Sequence, residues 1–170
     1  MSAEIRALLP DDDRRDFRSG DEALDLFFHR YAGQNQFRHH VGVSYVAIEA
    51  DRIVGFVTVS AGSLDAEDLP SGRKMPPYPL PFLRVARLAV DSRTRGGGVG
   101  GLLLRFAIEL AERMRDEYGC VGVLVDAKEG AVEFYRRYGF IPVEAVEGAS
   151  GQRPEPTMMF LPLGAVPLRR

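Results

Sequence analysis

Arg95-Gly96-Gly97-Gly98-Val99-Gly100-Gly101 lies between the apolar run Leu88-Ala89-Val90 and the periodic stretch from Leu102 to Met114, and its reading decides the fold. A strand, a glycine-rich turn and a helix start, in that order, make a site for anionic phosphate. Glycines let the backbone approach a ligand without Cβ clashes, and the free N–H groups and positive end of the helix face it. A nucleotide-binding P-loop would need Lys-Ser/Thr after the last glycine, where this chain has Leu102-Leu103. A dinucleotide fingerprint fits the spacing Gly96-x-Gly98-x-x-Gly101, and Asp126 ends a later strand. That fold, however, brings its first glycine almost directly after the strand, and too little chain follows Asp126 to complete a doubly wound sheet. A flexible linker would not lead at once into a strongly periodic helix.

The rest of the chain can be read outward from this loop. Residues 4–8 are predicted as a first strand, with a polar turn over 10–15. Leu24, Phe27, Phe28 and Tyr31 keep the i, i+3, i+4, i+7 spacing of one apolar face, which predicts a helix over 21–35 capped by Ser19, Gly20 and Asp21. Two antiparallel strands are expected over 43–49 and 53–60, joined at Ala50-Asp51-Arg52. Residues 61–81, rich in Pro and Gly, are expected to form an irregular loop carrying Arg73 and Lys74. A strand over 82–90 then enters the glycine loop. A second helix is expected over 99–118, with Leu103, Phe106, Ala107, Leu110, Ala111 and Met114 on one stripe. The β-branched run 121–126 predicts a strand buried on both faces, 129–138 a short helix ended by Gly139, and 141–145 and 157–163 two final strands around a polar loop. Strand-helix-strand-helix-strand after an antiparallel start implies an α/β fold with a mixed sheet in one domain, residues 1–170.

Bulk properties narrow the class. A chain of 170 residues is most simply one domain with a sizeable core. The single Cys120 excludes an internal disulfide framework and a cysteine-based metal site, and its apolar surroundings make it a core thiol. His39 and His40 read as loop residues, so no metal constellation is expected. There is no long apolar span and no basic-then-apolar leader, which predicts a cytoplasmic protein that does not enter a membrane. The net charge of −2 supplies no global attraction to nucleic acid.

Arg95-x-x-Gly98-x-Gly100 resembles the acyl-CoA signature (Arg/Gln-x-x-Gly-x-Gly/Ala) of the GNAT superfamily of N-acetyltransferases. A second cluster, Ala131-Val132-Glu133-Phe134-Tyr135-Arg136-Arg137-Tyr138-Gly139-Phe140, is similar to the segment "A-x-x-F-Y-x-x-x-G-F" that closes the superfamily's cofactor site. The resemblance implies a mostly antiparallel sheet flanked by helices, with splayed central parallel strands. It also implies acetyl-CoA as cofactor, held by Leu88, Ala89, Val90, Arg93, Arg95, Gly96, Gly97, Gly98, Val99, Gly100 and Gly101. In this superfamily the tyrosine equivalent to Tyr135 often lies near the CoA sulfur, where a phenol can protonate the departing thiolate. The alternative role for Tyr135 is a structural one in the pocket wall. Phe134, Tyr138 and Phe140 read as core residues.

A narrower resemblance spans about residues 17–163. Phe17-Arg18-Ser19-Gly20, then Leu24-Asp25-x-Phe27-Phe28-x-x-Tyr31-Ala32-x-Gln34-Asn35, looks like the "F-x-C-G … L-(N/D)-x-F-L … Y-A-x-Q-N" opening of the TacT-like acetyltransferase toxins of bacterial type II toxin–antitoxin pairs. Arg84-Val85-Ala86-Arg87-Leu88-Ala89-Val90-Asp91 resembles their "L-G-R-L-A-V-D" strand, and Val125-Asp126-Ala127 their "V-D-A" stretch. These toxins acetylate the α-amino group of aminoacyl-tRNA and so block its use in elongation. The resemblance implies a homodimer and a small antitoxin partner with a ribbon-helix-helix segment. Ser19 stands where the family has cysteine, and a small cap residue suffices there.

The charge balance departs from the tRNA-binding expectation, because tRNA binding draws on clustered Lys and Arg. Candidates for a local patch are Arg73, Lys74, Arg84, Arg87, Arg93, Arg136 and Arg137; Arg84 and Arg87 are the candidate substrate-binding residues. No general base is evident. An aminoacyl ester's α-amine is less basic than a lysine and needs none, which favours that acceptor. A general acetyltransferase for a small amine or protein N-terminus, and a non-catalytic CoA-binding regulator, are the other two classes.

Overall fold

A computed structural model describes residues 3–69, 75–143 and 156–164. Arg73, Lys74, and most of the polar loop before the last strand lie outside the described residues. Seven strands form one sheet in the order β1-β2-β3-β4-β5-β7-β6: β1 Glu4–Ala7, β2 Val43–Glu49, β3 Arg52–Leu64, β4 Leu80–Val90, β5 Gly122–Ala127, β6 Ile141–Pro142 and β7 Thr157–Pro162. The pairs β1–β2, β2–β3, β5–β7 and β6–β7 are antiparallel. The helices are α1 Glu22–Leu26, α2 Val99–Glu117 and α3 Val132–Arg136. The chain divides into two compact units, Met1–Ser60 with Val85–Leu110 and Ala61–Arg84 with Ala111–Arg170, so that β3, β4 and α2 each run through both.

In the first unit, β1 to β3 form a meander. β2 and β3 are joined by a two-residue turn in which Ala50 and Asp51 take φ values of 49° and 59°. Positive φ at both central residues gives the twist of a tight hairpin, and it makes Glu49 and Arg52 the closing pair. β3 runs four residues past the expected end at Ser60, because alternation continues through Ala61-Gly62-Ser63-Leu64. The expected irregular loop is correspondingly shorter.

Asp21 caps the first helix, its carboxylate accepting from the N–H groups of Ala23 and Leu24 at 3.0 and 3.1 Å. The helical path runs past the expected end at 35, through residues 22–38, and is not regular: Phe27–Tyr31 and Gln34–Arg38 are π turns. In the first of these the Ala32 N–H reaches back to the Phe27 carbonyl, and the Arg14 guanidinium takes the Phe28 carbonyl at 2.9 Å. The wider turn buries Phe27 and Phe28 side by side. Phe28 stacks on Phe56 of β3 at 4.2 Å and 6°, with Phe17 edge-on to both rings. With Leu8, Val46, Ile53 and Ala89 these rings make the core of the unit. Each such side chain withdrawn from water contributes roughly 1.5–3 kcal/mol before the entropy of ordering it is counted.

The second unit has its own core of Phe82, Leu124 and Phe160. β5 is buried along most of its length, as its β-branched run predicts. α3 is shorter than expected, and Gly139 with φ +95° follows it as a left-handed terminator. Of the penultimate strand the described part is Ile141–Pro142.

Candidate active site

β4 delivers Leu88, Ala89 and Val90 to the start of the glycine loop, with Ala89 buried in the first unit's core. At the strand's end the Asp91 N–H donates to the Val54 carbonyl of β3 at 2.8 Å. The Asp91 side chain is fully buried and collects four hydrogen bonds. Its Oδ1 accepts from Arg93 N–H and Nε, both at 2.9 Å; its Oδ2 accepts from Arg93 Nη2 at 2.8 Å and Arg18 N–H at 3.2 Å. The Arg93 guanidinium therefore holds the Asp91 carboxyl well below the usual carboxylate range. Arg93 also donates to the Asp16 carbonyl at 2.8 Å, and Ser92 N–H to the Arg18 carbonyl at 2.8 Å. Asp91, which sequence reasoning did not single out, thus anchors the loop's entry to the segment before α1. Its signal is the side chain accepting from the N–H two residues on, the habit of Asp at turns.

The loop's glycines adopt the shape a phosphate cradle requires. Gly96 and Gly98 have φ values of +88° and +79°. A Cβ built at either would find nothing within 4 Å, so this face of the backbone is open. Gly97 N–H turns back to the Thr94 carbonyl at 3.3 Å. Leu102 N–H reaches the Gly98 carbonyl at 3.1 Å, which makes Gly98 the cap of α2. The N–H groups of Val99, Gly100 and Gly101 then have no acceptor within the helix. These residues fit a pyrophosphate through backbone N–H groups and the helix's positive end.

The arginines are distributed differently from the sequence expectation. Arg93 is spent on Asp91. Arg95 donates through Nη2 to the Ser19 carbonyl, tying the loop to the turn before α1. Ser19 itself is buried, with Oγ donating to Asp25 at 2.7 Å. Arg84 pairs with Asp126 at 2.9 Å, so its charge is already met within the second unit. Arg136 lies 3.5 Å from the Glu133 carboxylate, and Arg137 Nε donates to the Glu133 carbonyl at 3.4 Å. Arg87 differs: its Cζ lies 3.8 Å from the centroid of the Phe27 ring. Partial burial lowers its pKa from the ordinary value.

Tyr135 lies on α3, packed edge-on against Phe134 and Phe140 at 5.1 and 5.5 Å. It is buried, and burial pushes its phenol up to about 12. The group is therefore neutral and able to donate throughout the neutral range. Cys120 is buried and its thiol is likewise pushed up by burial, consistent with a core role. No metal-binding group of three or more His, Cys, Asp or Glu occurs among the described residues. No helix among them is long and apolar enough to cross a membrane.

The acetyltransferase (GNAT) domain family matches residues 40–142, which include β4, the glycine loop and α3. The chain belongs to the GNAT acetyltransferase family. It is an N-acetyltransferase that uses acetyl-CoA. A relative from Mycobacterium tuberculosis described as a tRNA-acetylating toxin is 35% identical over 133 residues, 76% of this chain and 78% of that protein. Among solved structures, AtaT complexed with acetyl-methionyl-tRNAfMet aligns over 95% of both chains with 27% identity and a TM-score of 0.80. AtaTR bound with acetyl-CoA aligns over 95% of this chain and 94% of that one, with 27% identity and a TM-score of 0.77.

Proposed function

We propose that this acetyltransferase moves the acetyl group of acetyl-CoA directly to the α-amino group of aminoacyl-tRNA, silencing that tRNA in translation. The observation that carries the acceptor class is the similarity to the tRNA-acetylating relative across three quarters of the chain. The open faces of Gly96 and Gly98 support the cofactor assignment.

The chain's own residues divide the work. Backbone N–H groups of the loop over 95–101, other than that of Gly97, hold the pyrophosphate, with Arg95 adding charge from one side. Arg93 orients the loop through Asp91. The backbone of Leu88, Ala89 and Val90 pairs with the amides of the pantetheine arm as an added strand would, and one N–H near Val90 polarises the thioester carbonyl. The neutral amine attacks that carbon, the C–S bond breaks, the sulfur takes a proton and the amide nitrogen gives one up. Tyr135 donates to the sulfur. Its raised pKa keeps the phenol protonated, and so a hydrogen-bond donor to the forming thiolate, throughout the neutral range. Arg87 and Arg84 are the acceptor-side cations, with Arg84 tempered by Asp126.

A small antitoxin with a ribbon-helix-helix segment, a homodimer and a cytoplasmic location complete the reading. The net charge of −2 favours the second reading, acetylation of a cationic small amine or a protein N-terminus. Radiolabelled acetyl transfer separates the two. Label on charged tRNA but not on deacylated tRNA, polyamines or peptides supports the first reading. Label on a polyamine or peptide, with none on tRNA, overturns it.

A further inference from the structure

We propose that Arg87, whose guanidinium lies over the Phe27 ring, receives a phosphodiester of the acceptor, so that the enzyme selects amines carrying a phosphate one nucleoside away. This rests on the aminoacyl-tRNA reading and deepens it.

Arg87 stands apart among the partly buried arginines described, because the exposed ones keep their water. Arg6, Arg84, Arg93 and Arg115 each meet a carboxylate at 2.8–2.9 Å. Arg87 meets none among the described residues and makes no hydrogen bond there; its contact is the face of Phe27. The contact places the cation on the π face of Phe27, and the five N–H donors of the guanidinium, which lie in its own plane, find no acceptor among the described residues. Partial burial strips water from the cation and lowers its pKa. A desolvated cation without an acceptor is costly unless an anion arrives to complete it. The planar fork, placed over the ring, suits two oxygens of one phosphate better than a single point charge.

Phe27 is itself fixed. It belongs to the π turn Phe27–Tyr31 and stacks on Phe56 at 6.3 Å, so the platform under Arg87 is part of the core. Arg87 shares with Ala89 the face of β4 that joins this core, and it lies three residues before Val90. A strand's rise puts their Cα atoms about 10 Å apart. In an aminoacyl nucleotide, the bonds from the α-amine through the ester and ribose to the 5′-phosphate also span roughly 10 Å when extended. An amine at the thioester beside Val90 therefore leaves its own phosphate within reach of Arg87.

The test uses aminoacyl esters of adenosine and of adenosine 5′-monophosphate, prepared over a panel of amino acids, with charged tRNA alongside. The wild-type enzyme should favour the phosphate-bearing ester about ten-fold or more in kcat/KM, the size expected of one charge-assisted contact. Arg87→Gln should bring that ratio close to one, and Arg87→Lys should leave an intermediate value. Titration with acetyl-CoA, expected to be unchanged, shows that each variant is folded. A wild-type ratio near one, or a ratio that survives Arg87→Gln while charged tRNA is acetylated, overturns this inference alone. No transfer to any ester or to charged tRNA overturns the acceptor class and this inference with it.

Discussion

The Arg93 guanidinium forks onto the fully buried Asp91 carboxylate, Nε to Oδ1 at 2.9 Å and Nη2 to Oδ2 at 2.8 Å. This pair closes the turn between β4 and the glycine loop, and Asp91 simultaneously takes the Arg18 N–H. Asp91→Asn keeps the shape but loses the charge, and should cost about 3 kcal/mol. Calorimetry should show a fall in Tm on the order of 6–12 °C. A depressed carboxyl stabilises above its unfolded value near 4 and loses that contribution as pH falls toward its folded value. The gap in Tm between wild type and variant should hold from pH 7 to 5 and narrow below about 4. A constant gap down to pH 3 would contradict the pairing.

Gly98→Val separates folding from cofactor binding. The φ of +79° makes any side chain there strained by roughly 1–2 kcal/mol, but the site around its Cβ is open. The variant should fold with a modestly lower Tm. Isothermal titration should show acetyl-CoA affinity reduced at least ten-fold, since the branched side chain fills the open space proposed for the pyrophosphate. Unaltered affinity would remove the loop from the cofactor site.

Tyr135→Phe removes a hydroxyl that makes no hydrogen bond to a described residue, so stability should change little. Turnover should fall by a factor of about 10²–10³ with acetyl-CoA affinity retained. A large loss of affinity would make Tyr135 structural.

The phenol, pushed up to about 12, stays protonated well past neutrality. The wild-type kcat/KM should therefore rise with deprotonation of the acceptor amine and stay level between pH 8 and 9.5. A descending limb below pH 9.5 would show a different acid at work.

Gly55→Ala probes the approach of α2 to the sheet. A Cβ at Gly55 would stand 2.9 Å from both Leu103 Cδ1 and Val99 Cγ1, and 3.1 Å from the Ala89 carbonyl. Relief requires a shift of the first turn of α2, at a cost of about 1–3 kcal/mol. Because Gly98 and Val99 join the glycine loop to α2, acetyl-CoA affinity should fall together with Tm. Loss of stability without loss of affinity would uncouple the helix start from the binding loop.

The local patterns were legible in the chain itself. The glycine spacing from Gly96 to Gly101, the apolar stripe of α2, the capping Asp21 and the β-branched run of β5 each act through near neighbours in sequence, so their consequences could be read directly. The same holds for Gly139 as a helix terminator and for the acyl-CoA signature. Arg93, by contrast, reads in sequence as a phosphate ligand and turns out to brace Asp91, and Arg84 turns out to be paired with Asp126, 42 residues away. The π turns were equally hidden: the spacing of Leu24, Phe27, Phe28 and Tyr31 suits a regular helix, and it is Phe56 on β3 and Arg14 before the helix that make the wider turn favourable. Arg87 over Phe27 brings together residues 60 positions apart. Sequence determines which groups carry charge and which backbones can bend. Only the tertiary structure decides which charges are already neutralised, because a counter-ion is a matter of distance in space, and that leaves Arg87 as a half-buried cation with no acceptor for its donors among the described residues.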